Sequence, residues 1–188
     1  MTFGFSLLFE GLTSLKAKGL RHGGTIGLAA RYPAQENGRS AMSTMRFEDL
    51  ASKIKKIDFC MLSTNDGMGK ISSRPMSNNG DVEYDGDSWF FSYENTRKIG
   101  EIKGFEHVSL TFTEPPSLLG KPGIFIAIQG KASIVRDRTA FEEHWVSGLE
   151  RWFPEGVDTT DLVLLKVVAS SVYYWDGEEN GEIAVPDR

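Results

Sequence analysis

Apolar residues first recur at helical spacing at Phe47, Leu50, Ile54 and Ile57, with Lys53, Lys55 and Lys56 on the other side. That pattern predicts an amphipathic helix over 47–57. The period then changes. "DFCMLSTN" reads as a short strand, "DGMGK" as a glycine turn, and "ISSRPMS" as a returning strand. After the Asp85-Gly86 turn signal, "SWFFSY" is rich in strand-forming residues. "NTRKIGEIKGFE" predicts a short helix with Asn95 or Thr96 as N-cap and Gly104 near its end. In "HVSLTFT", Val108, Leu110 and Phe112 alternate as in a strand. "GIFIAIQGKASIV" is a longer strand, and Gly130 inside it predicts a bulge or a close backbone approach. Phe141, Trp145 and Leu149 predict a helix over "RTAFEEHWVSGLERWF", and "DLVLLKVVASSVYYWDG" is the last long strand.

About six strands with three interspersed helices, few of them in β-α-β order, argue against a parallel sheet. They predict a mainly β, α+β domain: an antiparallel barrel or sheet. Residues 1–44 stand apart. They carry five basic and two acidic side chains, net +3, against −8 for the remainder, and show no sustained periodicity. They read as a loop-like or disordered N-terminal extension, either a tethering or targeting arm or sequence upstream of a natural start at Met42 or Met45. The domain is residues 45–188.

The 188 residues carry a net charge of −5. That balance argues against nucleic acid and anionic membrane surfaces as partners. "MTFGFSLLFEGL" is too short to span a bilayer. A single cysteine, Cys60, forbids an internal disulfide and fits a cytoplasmic protein. Cys60 lies in an apolar run and reads as a buried thiol. The three histidines, His22, His107 and His144, form no ligand spacing, so no metal site is expected. Nucleotide-binding glycine motifs and the G-x-S-x-G elbow are missing as well.

Two stretches carry chemistry of another kind. In "GKISSRPMS", Arg74 precedes a proline, which keeps its backbone extended. In "FFSYENTRK", a strand delivers Ser92, a capping residue, Arg97 and Lys98 to a helix N-terminus. Such a terminus favours an anion. Arg74 and Lys98 are the two cations expected to converge. Trp89, Phe90 and Trp145 read as core; Trp175, before a turn, does not.

The order and spacing of "GKISSRPMS", "SWFFSYENTRKIGEI", "HVSLTF", "GIFIAIQGKASIV" and "VYYWDG" resemble the pyridoxamine 5'-phosphate oxidase-like superfamily, in its general stress protein 26-type branch. The resemblance implies an antiparallel split β-barrel working as a homodimer, with flavin mononucleotide (FMN) in clefts between subunits. It implies that Arg74 and Lys98 grip the phosphate. Ser73, Pro75 and Met76 line the ring edge mainly by backbone, Phe91 and Ser92 hold the phosphate end, and Trp175 reaches over from the partner subunit.

The sequence departs from the oxidases themselves. They carry a basic, histidine-containing signature after the final tryptophan, where this chain has the acidic "DGEENGEIAVPDR". Oxidation of pyridoxamine phosphate is therefore disfavoured. Phe125 stands roughly where the oxidases carry a glutamine, and Gln129 is not its equivalent. The leading reading is an FMN-dependent oxidoreductase using a small-molecule or nicotinamide electron donor. The alternatives are a non-catalytic flavin-binding stress or sensor protein, and a split barrel holding a deazaflavin or haem. Haem is the weaker of these, because it usually wants a histidine ligand near the cleft.

Overall fold

A computed structural model describes residues 45–78, 84–115, 123–177 and 179–186. The expectations for residues 1–44 lie outside the described residues. The elements are α1 (Phe47–Ile54), β1 (Phe59–Asn65), β2 (Ile71–Ser77), β3 (Asp87–Tyr93), α2 (Arg97–Gly104), β4 (His107–Thr113), β5 (Ile124–Val135), α3 (Arg138–His144), β6 (Leu162–Asp176) and β7 (Glu179–Ile183). The seven strands form one antiparallel sheet in the order β2-β1-β4-β5-β6-β3, with β7 also on β6. The fold is mainly β, as expected, and the sheet does not close: β2 and β3 end the order without pairing.

Strand alternation builds the main core. Cys60, Leu62 and Thr64 of β1, Val108, Leu110 and Phe112 of β4, and Ile124, Ile126 and Ile128 of β5 all point inward. Leu50 and Ile54 of α1 and Ile99 and Ile102 of α2 cover it. Burying a side chain of this size contributes about 1.5–3 kcal/mol, so the apolar interior outweighs the few polar groups buried within it, Thr64, Asp87, Ser88, Ser92 and Glu101. β3 and the first part of β6 are buried on both faces. Phe90, Val163 and Leu165 belong to the main core, while Phe91, Leu162 and Leu164 join Phe141 and Phe153 in a second cluster.

β6 is 15 residues long and needs a correction to keep its faces in phase. Gln129 pairs with Ser171 but Gly130 pairs with Ala169, so Ser170 is the extra residue of a bulge. Its hydroxyl donates to the Gln129 carbonyl at 3.0 Å. Val172 and Ala169 thus both face inward. A Cβ on Gly130 would lie 2.3 Å from the Val168 carbonyl oxygen, which is backbone and cannot swing away. Gly130→Ala is expected to destabilise by about 1–3 kcal/mol. A lowered denaturant midpoint checks this, and an unchanged midpoint contradicts the close approach.

Two expectations need correction. The strand count is seven, because Gly177, at φ 66°, turns the chain back and lets Glu179–Ile183 pair with β6. The acidic, glycine-containing "ENGEI" lacks a strand's usual residues, and β6 supplies the pairing that its propensity does not. The helix over 138–153 stops at His144. Trp145 is extended, Gly148 is left-handed at φ 97°, and only a single 3-10 turn forms at Leu149–Arg151. Val146, Ser147 and Gly148 are poor helix formers. The Glu150 carboxylate also holds the break closed, accepting from Trp145 Nε1 at 3.2 Å and the Gly148 N–H at 2.7 Å.

Candidate functional site

The two strands that end the sheet order meet across a cavity. β2 contributes Pro75, Met76 and Ser77, and β3 contributes Phe91, Ser92 and Tyr93, to a space of about 330 Å³. The break after α3 folds Leu149, Trp152 and Phe153 over it, and the Tyr93 hydroxyl donates to the Trp152 carbonyl at 3.0 Å. Phe59 closes the side next to β1. Mostly apolar walls and one cation, Lys98, make a slot for a flat apolar ring with an anionic end.

Lys98 stands in the first turn of α2. Among the described residues its Nζ has neither a carboxylate nor a hydrogen-bond acceptor. Burial holds its pKa below the ordinary lysine value, and the nearby Arg74 charge lowers it further. The N-cap residue Thr96 donates its hydroxyl to the Tyr93 carbonyl at 2.9 Å and lies 3.3 Å from Ser92 Oγ. That pins the strand-to-helix turn. The N–H groups that open α2 complete an anion-favouring corner.

Arg74 is held in place. Its Nη1 donates to Thr64 Oγ1 at 2.5 Å and to the Leu62 carbonyl at 3.3 Å, and its Nη2 to Glu101 Oε2 at 3.0 Å. Glu101 is buried on α2 and also accepts from Thr64 Oγ1 at 2.5 Å and from Arg97 Nε at 2.7 Å. A guanidinium has five N–H donors. The Nε–H and the second Nη2–H of Arg74 have no partner among the described residues, and they share the edge that suits a bidentate oxyanion.

The Thr64 hydroxyl holds the Glu101 carboxyl below the usual carboxylate range; burial opposes this, and Arg97 and Arg74 reinforce it. A lowered folded-state pKa gives stability that is present above the ordinary carboxylate value and lost as pH falls through the folded value. Acid titration of the thermal midpoint should therefore show a limb that Glu101→Gln removes. An identical acid limb in the variant contradicts this network.

Of the eight residues expected at the site, Pro75, Met76, Phe91, Ser92 and Lys98 line the cavity. Arg74 adjoins it through its electrostatic contact with Lys98. Ser73 does not line the cavity; its Oγ lies 2.8 Å from Ser63 Oγ. Trp175 lies on β6 opposite Phe125 and Asn180 and does not line the cavity within one chain. Sequence reasoning missed Glu101 and Thr64. Each had a signal: a carboxylate among the buried positions of α2, and a hydroxyl on the inward phase of β1. It also missed Tyr93, Leu149, Trp152 and Phe153, because the last three were read into a continuous helix.

A family model described as pyridoxamine 5'-phosphate oxidase like matches residues 46–185. The chain belongs to that family. Protein bli-3 of Neurospora crassa is 28% identical over 109 residues, which are 57% of this chain and 50% of that protein. The chain thus matches half the length of this curated relative. Among solved structures, a protein from Clostridium acetobutylicum related to general stress protein 26 of B. subtilis aligns with a TM-score of 0.59 at 22% identity, over 69% of this chain and 87% of its own. The general stress FMN/FAD binding protein of Xanthomonas citri aligns with a TM-score of 0.56 at 24% identity, over 70% and 89%. General stress protein 26 from Bacillus anthracis is a further neighbour, with a TM-score of 0.54 at 24% identity over 70% and 96%. At these identities the family members share the fold. No helix among the described residues is long and apolar enough to cross a membrane.

Proposed function

We propose that this protein binds flavin mononucleotide in the seam between β2 and β3 and works as a flavin-dependent oxidoreductase. The observation that carries the proposal is Lys98: an ammonium without an anionic partner among the described residues, within electrostatic reach of Arg74, in the wall of a mostly apolar slot. These residues fit a flavin phosphate. Lys98 and Arg74 neutralise it, Ser92 stands at the same corner, and Pro75, Met76 and Phe91 exclude water from the ring. The flavin, once bound, supplies the hydride or electron chemistry. Among the described residues the cavity lining includes no histidine and no carboxylate, which suits a reaction confined to cofactor and donor. The flavin-binding unit is residues 45–188.

A homodimer completes the site in this reading. On the outer sheet face, Met61, Thr111, Ala127 and Tyr173 stand opposite one another across four strands, and Thr113, Phe125 and Trp175 form the next row. Phe59, Met61, Phe125 and Trp175 are 41–50% exposed there. Phe59 also lines the cavity, so a second copy covering this face reaches the flavin. Trp175→Asp should shift sedimentation from dimer toward monomer and weaken flavin binding. A wild-type monomer with full flavin affinity contradicts the shared site.

Reductive titration separates catalyst from carrier. Reduced nicotinamide dinucleotide, added without oxygen, should bleach the flavin absorbance of the loaded protein. Bleaching by dithionite but by no biological donor favours the second reading, a flavin-binding stress or sensor protein without turnover. That alternative draws on a lining that, among the described residues, holds neither a histidine nor a carboxylate.

A further inference from the structure

Beside the seam lies a larger cleft of about 850 Å³, and the two share Phe59, Ser77 and Leu149 along their common edge. The end of α1 brings Lys55 and Lys56 into this cleft, and the turn after α3 brings Arg151. Asp58 is its only carboxylate among the described residues. Elsewhere the domain pairs its cations: Lys53 with Asp176, Lys103 and Arg136 with Glu94, Lys131 with Glu106, and Lys166 with Asp87. Lys55, Lys56 and Arg151 form no ion pair with a described residue. Arg151 lies instead over the Trp152 ring, 5.6 Å from its centre. Of the described lysines and arginines left unpaired, only Lys70 stands outside these two adjoining cavities. A chain of net charge −5 has acids to spare, so this concentration of uncompensated positive charge is not a matter of supply.

We infer that the larger cleft binds the phosphate-bearing nucleoside end of a dinucleotide whose other end reaches the seam. Three cations against one carboxylate repel one another in the empty protein, and a phosphate or pyrophosphate relieves that repulsion while gaining charge-assisted hydrogen bonds. The volume lies within the range of small-ligand sites. The shared edge lets one molecule span both spaces. Two sources supply this chemistry: the adenylate half of flavin adenine dinucleotide (FAD), and the adenylate half of a separate nicotinamide donor. The inference rests on the flavin reading for what occupies the seam.

Adenosine diphosphate is the probe, titrated by calorimetry into the full chain with and without bound FMN. Wild type should bind it, and Lys56→Ala and Arg151→Ala should each weaken binding on the order of tenfold. Lys70→Ala, a cation outside the cleft, should leave it unchanged, and all three variants should keep wild-type affinity for FMN. If FAD binds more tightly than FMN and Arg151→Ala abolishes the difference, the adenylate belongs to the cofactor. If FAD and FMN bind alike and adenosine diphosphate competes with the nicotinamide donor, it belongs to the donor. No binding at millimolar probe, or equal losses in Lys70→Ala, overturns the subsite. Failure of wild type to bind FMN while the probe still binds overturns the flavin reading instead.

Discussion

Replacing Lys98 with alanine should lower affinity for FMN on the order of 10- to 100-fold and leave affinity for riboflavin unchanged. The loss corresponds to one charge-assisted hydrogen bond, about 1.5–3 kcal/mol, at about 1.4 kcal/mol per tenfold. The selectivity follows because riboflavin lacks the phosphate. Lys98 has no acceptor among the described residues to strand when it is removed. Its lowered pKa marks a charged form that burial and Arg74 disfavour in the empty protein. The variant should therefore keep, or slightly raise, the thermal midpoint while losing the ligand. FMN binding should also weaken with rising pH before an ordinary lysine would titrate, because the ammonium loses its proton earlier. Equal losses for both ligands would point to a damaged strand-helix turn. No loss for either would make Lys98 a bystander.

Glu101→Ala should have the largest effect on stability, about 3 kcal/mol. Removing one member of a buried ion pair typically costs about 3–5 kcal/mol because the other charge is left without compensation. The lower end applies here: Arg74 keeps Thr64 and the Leu62 carbonyl, and its side chain is 21% exposed. Arg97, at 60%, can return to water. Glu101→Gln should cost about 1 kcal/mol, because the amide oxygen still accepts a hydrogen bond. Both variants should also weaken FMN binding, since Arg74 loses the carboxylate that holds its guanidinium in place. Chemical denaturation gives the first quantity and flavin titration the second. A Glu101→Ala protein as stable as wild type would mean that the Arg74–Glu101–Thr64 network carries no energy.

The contrast between these two residues shows what the sequence discloses. Lys98 was legible because a strand, a capping residue and a basic pair in "SYENTRK" are a local signal, and α2 begins where that signal places it. The bulge was legible too, since one glycine inside an otherwise apolar strand has few other uses, and Gly130 sits at the register shift. Arg74 was legible as a cation on an extended segment but not as one held by Glu101. The two are 27 positions apart, and only the packing of α2 against β1 and β2 joins them. The apolar period of Phe141, Trp145 and Leu149 misled for a related reason. Those residues are packed against one cluster, yet the chain reaches it through a break at Gly148 rather than along one helix. Periodicity reports which side chains are buried, not whether one element delivers them. β7 escaped notice because its pairing energy comes from β6 and not from its own residues.

The central claim is that the seam between the unpaired edges of β2 and β3 holds a flavin by its phosphate. Titrating FMN and riboflavin into the wild-type protein, by quenching of flavin fluorescence, tests it most directly. Two charge-assisted contacts, from Lys98 and from the free edge of Arg74, predict that FMN binds at least about 100-fold more tightly than riboflavin. Equal affinities for the two ligands, or binding of neither, would contradict the claim.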